Sequence, residues 1–173
     1  MALLLRNPDG TYASECSLCD KPLTEPVFVT THFIGDSSDK LFGYSDSGMH
    51  YECYAEWKYQ RRFANQYFEF TRQHMAANRQ WAVVADTKSF HIAANPNLSD
   101  PIAQLDLRSI GSGFRIRITD WSDWLDGGWD ADCAHNLQRY AVIEVEEELR
   151  QVVPNSKSLL EMARRLIQSV SEQ

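Results

Sequence analysis

Three of the four cysteines in this 173-residue chain fall into paired spacing with a histidine: Cys16-Ser-Leu-Cys19 and, after thirty intervening residues, His50-Tyr-Glu-Cys53. No other feature limits the possible folds as much. Two thiolates three positions apart in a tight turn hold half of a tetrahedron, and a helix that shows positions i and i+3 on one face supplies the rest. The unpaired amides and positive dipole end of a helix N-terminus stabilise thiolate charge, which accounts for a histidine and a cysteine at the expected start of a helix. The set Cys16, Cys19, His50 and Cys53 is therefore expected to bind Zn2+. Protein donors fill all four positions and leave none for water or substrate, so the ion is expected to be structural. The cysteines do not form the framework of a secreted disulfide scaffold.

The segments around this set follow from turn and period signals. Residues 2–15 predict a hairpin about Asn7-Pro8-Asp9-Gly10. The β-branched and aromatic run 27–34 predicts a strand, and residues 40–44 a second strand pairing back after the turn at Gly35-Asp36-Ser37-Ser38-Asp39. Asp46 or Ser47 is expected to cap a helix entered at about residue 48 and running to 78, with a bend near residue 60. After Asn78 the period switches to alternation, predicting antiparallel strands within 80–86, 88–94, 102–109 and 113–120, each with one wet face. Over 134–153, Leu137, Ala141, Val145 and Leu149 repeat at helical spacing while the run Tyr140-Ala-Val-Ile-Glu-Val145 has strand-like branching, so helix and strand both fit and the glutamate-rich continuation to Arg150 favours a helix; a second helix is expected after Pro154. The second is expected to carry a Ser158/Glu161 capping box and an apolar stripe of Leu159, Met162, Ala163, Leu166, Ile167 and Val170. The fold class is α+β. Residues 1–79 form a zinc-binding module of knuckle, β-hairpin and long helix, and residues 80–173 an antiparallel sheet with C-terminal helices over its dry face, the two parts making one compact unit.

The order knuckle, β-hairpin, helix, with two ligands from each end, resembles the treble-clef zinc finger, and the "CSLC…HYEC" pattern looks like the first half-site of a LIM domain with a longer hairpin. The resemblance covers residues 14–60. It implies a structural zinc but not the LIM scaffold role, because no second cysteine pair follows Cys53 to build the adjoining site.

Charge directs the functional reading. With 24 acidic and 17 basic residues the formal charge is −7, which weighs against non-specific nucleic-acid binding and favours a basic protein partner. The segment 120–133 holds three tryptophans, five aspartates and two glycines. Aromatics flanked by carboxylates suit a surface that anchors a partner while steering it, so Asp120, Trp121, Asp123, Trp124, Asp126, Trp129 and Asp130 are the candidate partner-binding residues, with at least one of Trp121 and Trp124 expected in the core. Cys133 and His135 lack visible co-ligands. His32 would be the base of a ββα-metal-type nuclease, but no asparagine between 32 and 50 orients it and no further histidine is placed for a catalytic metal. Lys58, Arg61, Arg62 and Arg72 on the long helix would serve nucleic-acid binding, against the acidity of the chain. Phosphate-binding glycine loops and Ser/His/Asp arrangements are missing from the sequence. "MALLL" is too short for a secretory apolar region and no window is long enough to span a bilayer, so a cytoplasmic location is expected. In size and acidity the chain is similar to small bacterial immunity-type proteins. The resulting expectation is a non-catalytic, zinc-stabilised inhibitor of a basic toxin or effector, with a zinc-finger nucleic-acid-binding protein and then a nuclease as alternatives.

Overall fold

The computed structural model describes residues 4–171. The chain forms two compact units, Met1–Tyr67 and Phe68–Gln173, so the division falls inside the long helix rather than after residue 79.

In the first unit, Gly10 donates its amide to the Asn7 carbonyl at 2.9 Å and takes a φ of 87°, a conformation glycine adopts without a Cβ penalty. The flanking hairpin is reduced to an isolated bridge between Arg6 and Tyr12, and Ala2 and Leu3 of its first strand lie outside the described residues. Strand β1 is Val27–Val29, shorter than the run 27–34. Its antiparallel partner is β2, Gly48–His50, with Phe28 opposite Met49. Residues 40–44 are not that partner; Phe42–Tyr44 make a 3-10 turn. The change has a hydrogen-bonding cause. Beyond β1, the Ser45 hydroxyl accepts from the amides of Phe33 at 2.8 Å and Ile34 at 3.2 Å, serving donors that a longer strand would have paired across a ladder. Helix α1, Tyr51–Glu56, is N-capped at His50 rather than at Asp46 or Ser47, and it stops at Trp57, where ψ is 125°. Helix α2, Gln60–Ala77, follows, so the bend expected near residue 60 is a full break. Phe28 stacks on Tyr54 at 3.9 Å with Tyr51 edge-on, and both stacked rings are fully buried.

The second unit is built on a meander of β3 (Ala82–Asp86), β4 (Phe90–Asn95), β5 (Ile102–Leu107) and β6 (Ser112–Arg117), antiparallel throughout and in sequence order. Gly113 stands opposite Asp106, where an added Cβ would lie 1.5 Å from the Leu105 carbonyl oxygen; only glycine fits. One face carries Phe90, Ile92, Leu105, Leu107, Phe114 and Ile116 into a core shared with two helices. These are α5, Asn136–Val152, and α6, Ser156–Ser171, as the helical spacing anticipated. Asn155, not Ser158, caps α6: its side-chain oxygen accepts from the Ser158 amide at 2.9 Å. The side chain of Val170 lies outside the described residues.

The opposite face is not wet at β4, where all six residues are buried. His91 and Asp106 face each other in register, both buried, and neither imidazole nitrogen nor Asp106 Oδ2 has a hydrogen-bond partner among the described residues. Beside them Arg72 of α2 donates to Asp86 Oδ1 at 2.7 Å, Glu69 accepts from Arg108 at 2.7 Å, and the Arg108 guanidinium covers Phe68. Alternation marks which residues share a face; it does not say whether another element covers that face.

Burial pushes the Asp106 carboxyl up to about 6, against a hydrogen bond from Gln104 that lowers it. Burial lowers His91, opposed by the Asp86 charge and reinforced by Arg72. The two act with opposite signs. A raised carboxyl binds its proton in the folded state first, so its contribution is complete below the unfolded value of 3.8 and is lost as pH rises through about 6. The lowered histidine favours the fold above its ordinary value and costs stability on acidification. Asp106→Asn removes the carboxyl contribution and should raise stability near neutral pH by on the order of 1–3 kcal/mol, with a gain that shrinks towards about pH 4. Thermal melts of both proteins across this range read the difference; a gain independent of pH would contradict the assignment.

Candidate metal centre

The first ligand pair is shaped by a knuckle. The amides of Cys19 and Asp20 donate to the Cys16 carbonyl at 3.3 and 2.9 Å, and Asp20 takes the left-handed conformation with φ 57°, which Asp tolerates better than most side chains. The second pair spans a junction between elements: His50 ends β2 and caps α1, and Cys53 sits in the first turn of α1. The pairing of β1 with β2, Val27 opposite His50, carries the histidine back to the knuckle.

Three sulfurs and one imidazole nitrogen converge so that all four donor atoms lie within 4.8 Å of one another. Cys19 Sγ stands 3.5 Å and Cys53 Sγ 3.6 Å from His50 Nδ1. Zinc–sulfur bonds of about 2.3 Å and zinc–nitrogen bonds of about 2.05 Å at tetrahedral angles give an S···N edge of about 3.6 Å. The donor set therefore fits a tetrahedral zinc in both chemistry and spacing. His50 Nε2 lies 3.1 Å from the Pro22 carbonyl oxygen, to which its N–H donates, and this assigns the tautomer that leaves the Nδ1 lone pair towards the sulfurs. The His50 amide also donates to Cys16 Sγ at 3.4 Å.

Electrostatics inside the cluster call for a cation. Desolvation raises Cys16, but the amides of His50, Leu18 and Cys19 outweigh it and hold the thiol below its ordinary value. Burial, together with the sulfurs of Cys19 and Cys16, pushes Cys53 up to about 12. Three thiolates cannot share so small a volume without a counter-charge, and a divalent ion inverts the local preference by deprotonating each ligand. Pro22 escaped the sequence reading, because a backbone carbonyl leaves no residue-type signal.

The remaining candidates are scattered. Cys133 is buried, with a thiol raised to about 11 mainly by burial, and His135 Nδ1 accepts from the Leu137 amide at 3.0 Å as the N-cap of α5. His32 lies beyond β1 in the loop, exposed and edge-on to Phe42, not on a strand. Lys58 falls in the break between α1 and α2 rather than on a helix; of the three arginines on α2, Arg62 pairs with Asp39, and Arg72 with Asp86 and Glu69. Trp121 and Trp124 are core: they stack at 5.8 Å, Trp121 donates to the Val153 carbonyl at 2.9 Å, and Trp124 donates to Asp132 at 3.1 Å. Trp129 is half-buried. Neither of the buried rings offers a face to a partner. The segment forms short helical turns, α3 (Trp121–Asp123), a π-turn at Trp124–Gly128 and α4 (Trp129–Asp132), and Asp123, Asp126 and Asp130 remain exposed on them while Asp120 is half-buried. No helix among the described residues is long and apolar enough to cross a membrane.

Compared with known proteins, the chain matches no family model, no curated protein and no solved structure.

Protein purified without chelator should carry about one zinc per chain, and Cys53→Ser should lower that content at least about tenfold while weakening the first unit by several kcal/mol. Elemental analysis and near-ultraviolet circular dichroism of the Phe28–Tyr54 cluster read both effects. Unchanged dichroism after complete metal removal would show that the cluster bears no load.

Proposed function

We propose that this chain is a non-catalytic, zinc-stabilised, acidic protein-binding module whose partner is a basic protein, of the kind a toxin inhibitor or immunity protein neutralises. In this reading the N-terminal unit is treble-clef-like, and its zinc fixes structure. Four protein donors complete the tetrahedron, which supports a structural ion rather than one that activates water.

The observation that carries the partner's chemistry is the placement of acidic side chains. Asp123 is exposed with no ion pair among the described residues, whereas the exposed Asp126 and Asp130 are each partly offset by an arginine of α5, Arg150 at 2.8 Å and Arg139 at 3.3 Å. Exposed acids in excess of their internal counter-charges steer a cationic partner and raise its association rate. The internal pairing of Arg62 and Arg72 gives the nucleic-acid alternative less to work with.

The test is capture from lysate of the native cells on immobilised zinc-loaded protein, followed by identification of whatever is retained at physiological salt. A basic protein whose affinity falls about tenfold or more on combined Asp123→Lys and Asp126→Lys supports the reading. Retention of nucleic acid alone, or plasmid nicking by the purified protein, would overturn it.

A further inference from the structure

We propose that the outward face of α5, centred on Tyr140 and Ile143 and flanked by Glu144 and Glu147, is the surface that docks the basic partner. This rests on the protein-binding reading above and adds the place and the anchors.

Helix α5 already has a complete buried stripe in Ala141, Val142, Val145 and Leu149. Tyr140 and Ile143 lie off that stripe, 69% and 56% exposed, three positions apart and hence neighbours on the helix surface. They are two of the few large apolar side chains left in solvent among the described residues, and the fold does not need them there. Glu144 and Glu147 follow on the same exposed side, one turn from Tyr140 and from Ile143 respectively, and neither forms an ion pair among the described residues. The basic residues nearest in sequence are committed: Arg139 pairs with Asp130, and Arg150 with Asp126 and Glu146. The face is therefore apolar at its centre and anionic at its edge.

Charge complementarity selects the occupant. A second copy of this chain would bring its own carboxylates against Glu144 and Glu147, and like charges placed together at an interface cost several kcal/mol. A cationic chain that offers apolar side chains between lysines or arginines satisfies both parts of the face. Tyrosine is among the residues that most often dominate interface energetics, through its large area and low rotamer cost. The two arginine pairs also connect α5 to the acidic 120–132 segment, where Asp123 is exposed with no ion pair among the described residues.

The probe is a synthetic amphipathic helical peptide of leucine and lysine, titrated into the zinc-loaded, isotope-labelled full chain and followed by amide chemical shifts. Saturable changes concentrated on the exposed side of α5, weakened at least about fivefold by Tyr140→Ser with Ile143→Ser and again by Glu144→Gln with Glu147→Gln, support the proposal. All four positions are exposed, and unchanged melting temperatures confirm that the variants fold. Changes confined to the 120–132 segment, or variants that bind as the wild type does, overturn this proposal while leaving the acidic-binder reading standing. Absence of any binding to the cationic peptide overturns both. Equal binding of a leucine/glutamate peptide, or concentration-dependent dimerisation through Tyr140, replaces the basic occupant and also overturns it.

Discussion

The N-terminal unit is organised by the convergence of Cys16, Cys19, His50 and Cys53, which brings a turn near the start of the chain against the junction of β2 and α1. Few other interactions in this unit close so long a loop. Strands β1 and β2 pair over three residues each, far short of an independently stable ribbon. The aromatic stack of Phe28 on Tyr54 packs between the same elements and depends on the register that brings Val27 opposite His50. Sulfur chemistry, strand register and aromatic packing thus specify the same arrangement, and each is consistent only if the others hold.

The C-terminal unit obtains its order differently, from a meander whose one face is a continuous apolar core with α5 and α6. The tryptophan-rich segment is a helical cap on that core. Trp121 reaches the Val153 carbonyl, and the paired hydroxyls of Ser122 and Ser156 tie the cap to the start of α6 at 3.1 Å. Its aspartates face outward because carboxylates are costly to bury without partners. The opposite face of the sheet tolerates such a cost at Asp106, across from an imidazole that has no hydrogen-bond partner among the described residues.

Much of this was legible in the residue order. Paired ligand spacing located all four donors, and alternation located all four strands of the sheet, because both are short-range patterns with a fixed geometric meaning. What the sequence did not reveal depends on long-range competition. Residues 40–44 have strand character, yet the partner of β1 is Gly48-Met49-His50, since the Ser45 hydroxyl takes the amides beyond β1 and the ligand geometry demands that His50 lie beside the knuckle. At least one of Trp121 and Trp124 was expected in the core and both are there: three positions apart in a helical turn they share one side, which faces the core, while the exposed Asp123 and Asp126 point away from it. Tyr140 and Ile143 fall off the apolar stripe of their own helix, and their exposure follows from that spacing.

The arrangement of the N-terminal unit stands or falls on the coordination of the proposed ion. X-ray absorption at the zinc edge of protein loaded with one equivalent of metal measures it directly. A shell of three sulfurs at about 2.3 Å and one nitrogen at about 2.05 Å is the predicted result. A shell dominated by oxygen and nitrogen donors, or a mixed set with an exchangeable water, would mean that Cys16, Cys19, His50 and Cys53 do not close on the ion together, and the structural role assigned to it would be wrong.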